Sequence, residues 1–328
     1  MREAAPPAEA EVRAGGRVLS VFGNSLNVRV LRAHAYGGPL RLSQLQKKVG
    51  WSAQATVRAA VDNLREIGAL SKRPLGDSRY GVATELTAAG EEILFVGEVV
   101  EAWLERHPDG PIALDSEPAK EAVKALAGGW STDLMAVLAA GPFTLSELHR
   151  RIPGISYPTL ERRLNWMRTT GQIEPVRKNG RGTPFVVTDW LRYAMAPLGT
   201  AGRCERRHLP DRSSPITAVE VETAFLLAMP LAPLPETAQG TCRLAFQLAD
   251  SEGERPHIAG VDLRVEAGKV IASTVDLDSE PRTWAVGTTD DWLEALIDGR
   301  MEHLRIGGLK PQLALDLAHG LHLGLLQG

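Results

Sequence analysis

The chain has 328 residues, 44% of them hydrophobic and 23% charged, with 37 basic and 40 acidic side chains, and reads as a soluble globular protein of two or three domains. Two cysteines, Cys204 and Cys242, make neither a disulfide framework nor a zinc cluster, so the expected compartment is a reducing cytoplasm. No apolar run reaches the roughly 18 residues of a membrane span, and the first ten residues lack the apolar stretch of a secretory signal.

Residues 1–16 are expected to be a disordered N-terminus. Charge then alternates along the chain: net +8 over residues 17–80, −7 over 81–127, +6 over 128–212 and −9 over 213–328. A single basic stretch is commonly solvated surface. Two at matching positions of a repeat point toward a polyanion.

That repeat appears when the chain is slid against itself by 103 residues. Pro39, Leu42, Ser43 and Leu45 then fall on Pro142, Leu145, Ser146 and Leu148. Val57, Val61 and Leu64 fall on Leu160, Leu164 and Met167, and Gly68 on Gly171. Each copy predicts an apolar helix (26–35; 133–139), a short helix with a Ser or Thr cap (43–45; 144–151) and a third helix (53–67; 157–170). The third has one buried stripe and one free face, and the glycine closes it. A hairpin with a basic tip follows: Lys72, Arg73 and Arg79 in one copy, Arg177, Lys178 and Arg181 in the other. Three helices and a hairpin make a winged helix-turn-helix, placed at residues 17–110 and again at 111–198.

At these residues the chain resembles the HxlR family of bacterial transcription regulators, and more loosely the MarR-type winged helices. The second copy carries the resemblance best, through residues 125–130, 141–148 and 152–156, and through Leu160, Glu161, Arg162, Arg163 and Leu164. The first copy matches better after its wing, where Leu86, Thr87, Ala88, Ala89 and Gly90 begin a helix ending near Trp103. The resemblance implies double-stranded DNA as partner. Such a domain sets the free face of its last helix in the major groove and its wing at a neighbouring groove or the backbone. In the second copy that face offers Ser156, Tyr157, Thr159, Arg162 and Arg163, where arginine suits guanine or phosphate and the hydroxyls suit phosphate. Arg181 at the wing tip suits a narrow minor groove. In the first copy Ala59 and Ala60 replace the two arginines, leaving Gln54, Arg58 and Asn63 as readers. Two copies on one chain depart from the usual family member. Pairing of chains into a homodimer is compatible with this layout.

Residues 199–215, rich in Gly, Ser and Arg, read as a linker. Beyond it come a helix (216–228), strands (242–248, 260–266, 269–276, 282–287), a helix (289–297), a strand (301–306) and a Leu-rich helix (309–326). Trp284–Thr288, Trp292, Leu293, Ile297–Arg300 and Leu304–Gly308 resemble the sterol carrier protein 2-like fold, here over residues 216–328. That resemblance implies a sheet and helices around an apolar cavity for a hydrophobic small molecule. Phe246, Leu263, Val265, Trp284, Trp292, Leu296, Leu313 and Leu317 are the candidate walls. Residues from about 213 onward are expected to fold alone. The fold class is therefore α+β: two tandem winged helix-turn-helix domains and a carrier-like α/β sandwich.

His319 and His322 stand i, i+3 without an acidic or Cys partner and are expected to pack or face solvent rather than bind metal. There is no nucleophile elbow, phosphate loop, paired-cysteine motif or zincin motif, and Gly307–Gly308 reads as a turn. No catalysis, cofactor or membrane partner is expected. The favoured reading is a ligand-responsive DNA-binding regulator. The alternative is a protein that sequesters a hydrophobic compound for transport or self-protection, its DNA binding weak or lost.

Overall fold

The computed structural model describes residues 13–74, 82–127, 129–176, 182–248 and 257–327. They divide into two compact units, one of Ala14–Ala127 with Thr200–Ser214, the other of Gly128–Gly199 with Pro215–Gly328. The class is α+β with a five-stranded sheet. No helix among the described residues is long and apolar enough to cross a membrane.

In the first unit, α1 (Gly16–Phe22), α2 (Ser25–Gly37), α3 (Leu42–Val49) and α4 (Gln54–Glu66) precede strands β1 (Leu70–Pro74) and β2 (Val82–Leu86). Helices α5 (Ala88–Glu105) and α6 (Glu117–Ala127) follow. The second unit opens with α7 (Gly129–Ala139), α8 (Leu145–Arg151), α9 (Tyr157–Thr169), β3 (Ile173–Pro175), β4 (Phe185–Val187) and α10 (Asp189–Tyr193).

The repeat extends to individual hydrogen bonds. Val57, Val61 and Leu64 are buried under α4, as Leu160, Leu164 and Met167 are under α9. Each helix ends on a glycine with positive φ, Gly68 at 78° and Gly171 at 74°. Around each glycine the two closing bonds of a Schellman motif form: Ala69 N to Leu64 O (2.8 Å) with Gly68 N to Arg65 O, and Gln172 N to Met167 O (2.9 Å) with Gly171 N to Arg168 O. An L side chain at either glycine would be strained. Past the hairpins, Thr87 and Thr188 each cap the next helix and donate a hydroxyl proton back to Gly68 O and Gly171 O. Leu40 pairs with Thr84, and Phe143 with Phe185, adding a third short strand to each hairpin. The copies diverge afterwards, where the continuous α5 corresponds to a helical stretch interrupted at Ala194, five-residue α10 followed by a helix over Met195–His208.

The expected linker is not one. Residues Met195–His208 form helix α11, and from Thr200 onward they belong to the first unit. Thr200, Ala201, Arg203, Cys204 and Glu205 are buried. The Glu205 carboxylate accepts backbone N–H groups from Gly15 (3.0 Å), Arg17 (2.7 Å) and Val18 (3.0 Å), capping α1. Arg203 Nε donates to Glu92 Oε1 of α5 at 3.0 Å, and His208 Nε2 lies 2.7 Å from Glu92 Oε2. Glycines and arginines suggest a loop locally, but their partners lie more than a hundred residues away.

His34 is 2% exposed on α2, its Nδ1 on Val30 O (2.8 Å) and its Nε2 on the Thr84 hydroxyl (2.9 Å). The neutral ring satisfies both contacts, donating from Nδ1 and accepting at Nε2. Burial holds its pKa below the ordinary histidine value, with the two hydrogen bonds opposing. Between the folded and unfolded pKa values the unfolded chain binds the extra proton, so this contribution is complete above about pH 6.5 and is lost as pH falls through that window. Urea unfolding of wild type and His34→Gln at pH 7.5 and 5.5 checks it. Wild type should lose more stability than the variant over that step.

The second unit continues with α12 (Ala218–Ala228), β5 (Gly240–Leu248), β6 (His257–Glu266), β7 (Lys269–Thr274), β8 (Thr283–Thr288), α13 (Thr289–Asp298), β9 (Arg305–Gly308) and α14 (Pro311–Leu326). The sheet order is β7-β6-β5-β8-β9, with β5 and β8 parallel and the other pairs antiparallel. Cys242, Leu244, Phe246 and Leu248 alternate inward on β5, and Val261, Leu263 and Val265 on β6. Helices α12, α13 and α14 pack on the sheet. Gly307, expected in a turn, lies in β9, where a Cβ would come 2.5 Å from the Trp284 ring.

Helix α12 also packs on α7 and α10 of the same unit, and Arg192 donates to Leu227 O at 3.3 Å. Residues from 213 onward thus share a flank with the preceding repeat copy, against the expectation that they stand alone.

Candidate nucleic-acid interface and ligand pocket

Ser156 caps α9, accepting from Thr159 N (3.3 Å) and donating its hydroxyl proton to Thr159 Oγ1 (2.8 Å). Pro158, in the first turn, needs no backbone donor there. The buried stripe leaves Ser156, Tyr157, Glu161, Arg162, Asn165 and Arg168 exposed, with Thr159 half-buried. Tyr157 stands edge-on to His149 of α8 at 5.4 Å. Arg162 is exposed and forms no salt bridge among the described residues.

Arg163 differs. It is half-buried and lies over the Trp166 ring at 4.7 Å, and burial, then the charge of Arg162, pushes its guanidinium below the usual value. Its counterpart Ala60 is 5% exposed, so this position is more buried than the one before it in both copies. The contrast between copies comes down to Arg162 against the exposed Ala59. Nothing in the local sequence marks Trp166, because an aromatic residue three positions after an arginine is an ordinary helical pattern.

In the first copy Gln54, Thr56, Arg58 and Asn63 are exposed on α4. Lys72 is exposed on β1, whereas Arg73 donates to Glu85 across the hairpin at 2.9 Å. Arg79, Arg177, Lys178 and Arg181 lie outside the described residues.

The expected apolar walls do not come together as one cavity. Phe246 and Trp292 stack with centroids 5.5 Å apart, Phe225 of α12 meets both edge-on, and Trp292 Nε1 donates to Ala245 O at 2.7 Å. Leu263, Val265, Leu313 and Leu317 are buried core, and Leu296 is half-buried. Trp284 pairs in register with Arg243, so it lies on the sheet face opposite Phe246 and Trp292. The two tryptophans therefore cannot line one wall.

A pocket of about 310 Å³ opens instead on the Trp284 side, between β5, β6, β7 and residues 279–283. Arg243 Nε and Nη2 each reach a carboxylate oxygen of Asp262 at 2.7 Å. Nη2 also donates to Leu277 O (2.9 Å) and Ser279 O (2.6 Å), and the Ser279 hydroxyl donates to Asp262 (3.0 Å). Only strand register reveals this pairing.

Cys204 and Cys242 are buried free thiols, each pushed up to about 12 by burial and therefore unreactive at neutral pH. His322 Nδ1 donates to Leu296 O at 2.9 Å, and His319 is exposed. Among the described residues no group of His, Cys, Asp and Glu could hold a metal ion.

No protein-family model matches the chain, and no curated protein matches it either.

Proposed function

We propose that the chain is a cytoplasmic, DNA-binding transcription regulator whose two repeat copies act as winged helix-turn-helix domains. In this reading its sheet-containing part, sterol carrier protein 2-like in architecture, binds a largely apolar small molecule that changes DNA affinity. No catalytic step belongs to it. The observation that carries the reading is the free face of α9, where Ser156, Tyr157, Thr159 and Arg162 project along one side of a helix whose other side is core. A row of this chemistry serves a phosphate-and-base surface better than bulk solvent.

Support for ligand control comes from α12. Phe225 on this helix joins the Phe246–Trp292 stack, while its last turn takes the hydrogen bond from Arg192 of α10. A shift in the sheet would thus be felt beside the DNA-reading copy. Reciprocal coupling between DNA and ligand distinguishes this from simple storage.

Fluorescence anisotropy with duplex DNA from upstream of the protein's own gene tests the assignment. Arg162→Ala should weaken binding by about 1–3 kcal/mol and relax preference at one base position. Arg58→Ala, in the copy with Ala59, should cost less. Equal losses at both positions would remove the asymmetry. The sequestering alternative draws on Ala59, since one reading helix lacks the exposed arginine of the other. It predicts ligand binding with no effect on DNA.

A further inference from the structure

We propose that the pocket on the Trp284 face of the sheet is a binding site for a compact organic anion. The inference rests on the ligand-control half of the reading above and names its site and ligand class. At about 310 Å³ the pocket lies at the lower end of the range for small-molecule sites.

Charge selects the ligand. Asp262 lines the pocket, but its two oxygens are taken by Arg243 Nε, Arg243 Nη2 and the Ser279 hydroxyl. Arg243 is held by four acceptors, all through Nε and Nη2; its Nη1 donors have no hydrogen-bond partner among the described residues. The guanidinium is thereby fixed in orientation with only its Nη1 donors unused, so it can offer a carboxylate or sulfonate a charge-assisted contact through that one nitrogen with little further ordering. Arg282 adds positive charge at the rim and forms no salt bridge among the described residues, whereas Arg264 is paired with the exposed Glu266 at 3.5 Å. Glu280 is the remaining lining carboxylate, so the lining side chains number three arginines against two carboxylates. Ala272 and Pro281 supply apolar wall, which favours an anion with a hydrocarbon body over inorganic phosphate. The site lies across the sheet from the Phe246–Trp292 stack, where an apolar cavity was expected.

Isothermal titration calorimetry of the full chain, without DNA, tests this with 2-naphthoate and its neutral isostere 2-naphthamide. Naphthoate should bind with one-to-one stoichiometry, about tenfold or more tighter than the amide, as expected for one charge-assisted pair. The exposed Arg282→Gln should weaken naphthoate about fivefold or more and leave the amide unchanged. Absence of naphthoate binding, equal affinity for the two probes, or indifference of naphthoate to Arg282→Gln would overturn the site. Because DNA is left out, failure here leaves the DNA assignment standing, and failure of DNA binding leaves this titration intact.

Discussion

Glu205→Ala should lower the stability of the first unit by about 3 kcal/mol or more, since three backbone donors lose their acceptor and each buried unsatisfied donor costs about 1–3 kcal/mol. The carboxylate is 1% exposed and receives N–H groups from Gly15, Arg17 and Val18, all at 3.0 Å or less. It supplies what α1 lacks locally, because Gly15 at the N-cap has no side chain to accept those protons. Burial raises the carboxyl's pKa despite the three hydrogen bonds, so the net charge is itself a cost and the value of the residue lies in satisfying the helix end. Glu205→Gln keeps one acceptor oxygen and should lose only about 1 kcal/mol. Urea unfolding followed by circular dichroism measures both. A loss below about 0.5 kcal/mol for Glu205→Ala, the range of ordinary surface substitutions, would mean that water replaces the carboxylate at α1.

This cap shows where the sequence stopped being legible. Local signals were strong in the repeat: apolar spacing in α4 and α9, Thr144 as a cap, and glycines at Gly68 and Gly171 where the chain must turn left-handed; Ser43, expected to cap the matching helix, instead lies inside α3, whose N-cap is Arg41. Those features are decided within a few residues, so they can be read without the fold. Residues 199–215 failed because Gly199, Gly202 and a run of arginines outweighed the small buried residues Ala201 and Cys204 three positions apart. Glu92 and Gly15, the groups that give Arg203 and Glu205 their purpose, are brought there only by tertiary structure. Trp284 and Trp292 were both legible as apolar residues of the sheet region. Which face each occupies depends on the pairing of Arg243 with Trp284, which no local pattern contains. Arg162 and Arg163 looked equivalent as neighbours, and the helix separates them into one solvent-facing and one ring-covering side chain.

The second large effect is the salt dependence of DNA binding. Residues 17–80 and 128–212 carry net charges of +8 and +6 in a chain whose total is −3, so attraction to a polyanion must come from those stretches. Each phosphate neutralised releases condensed counterion, giving a slope near −0.9 per contact in a log–log plot of affinity against salt. Six contacts shared between the copies correspond to a loss of about a thousandfold between 50 and 200 mM salt. Arg162→Ala should lower the slope by about one if Arg162 sits on a phosphate, and leave it unchanged, with base preference relaxed, if it reads a base.

The most direct test of the DNA-binding assignment is therefore an anisotropy titration of the full chain on duplex DNA at 50, 100 and 200 mM salt. The account predicts measurable binding at 50 mM that falls about a thousandfold by 200 mM. No binding at 50 mM, or an affinity that stays flat across the series, would contradict it.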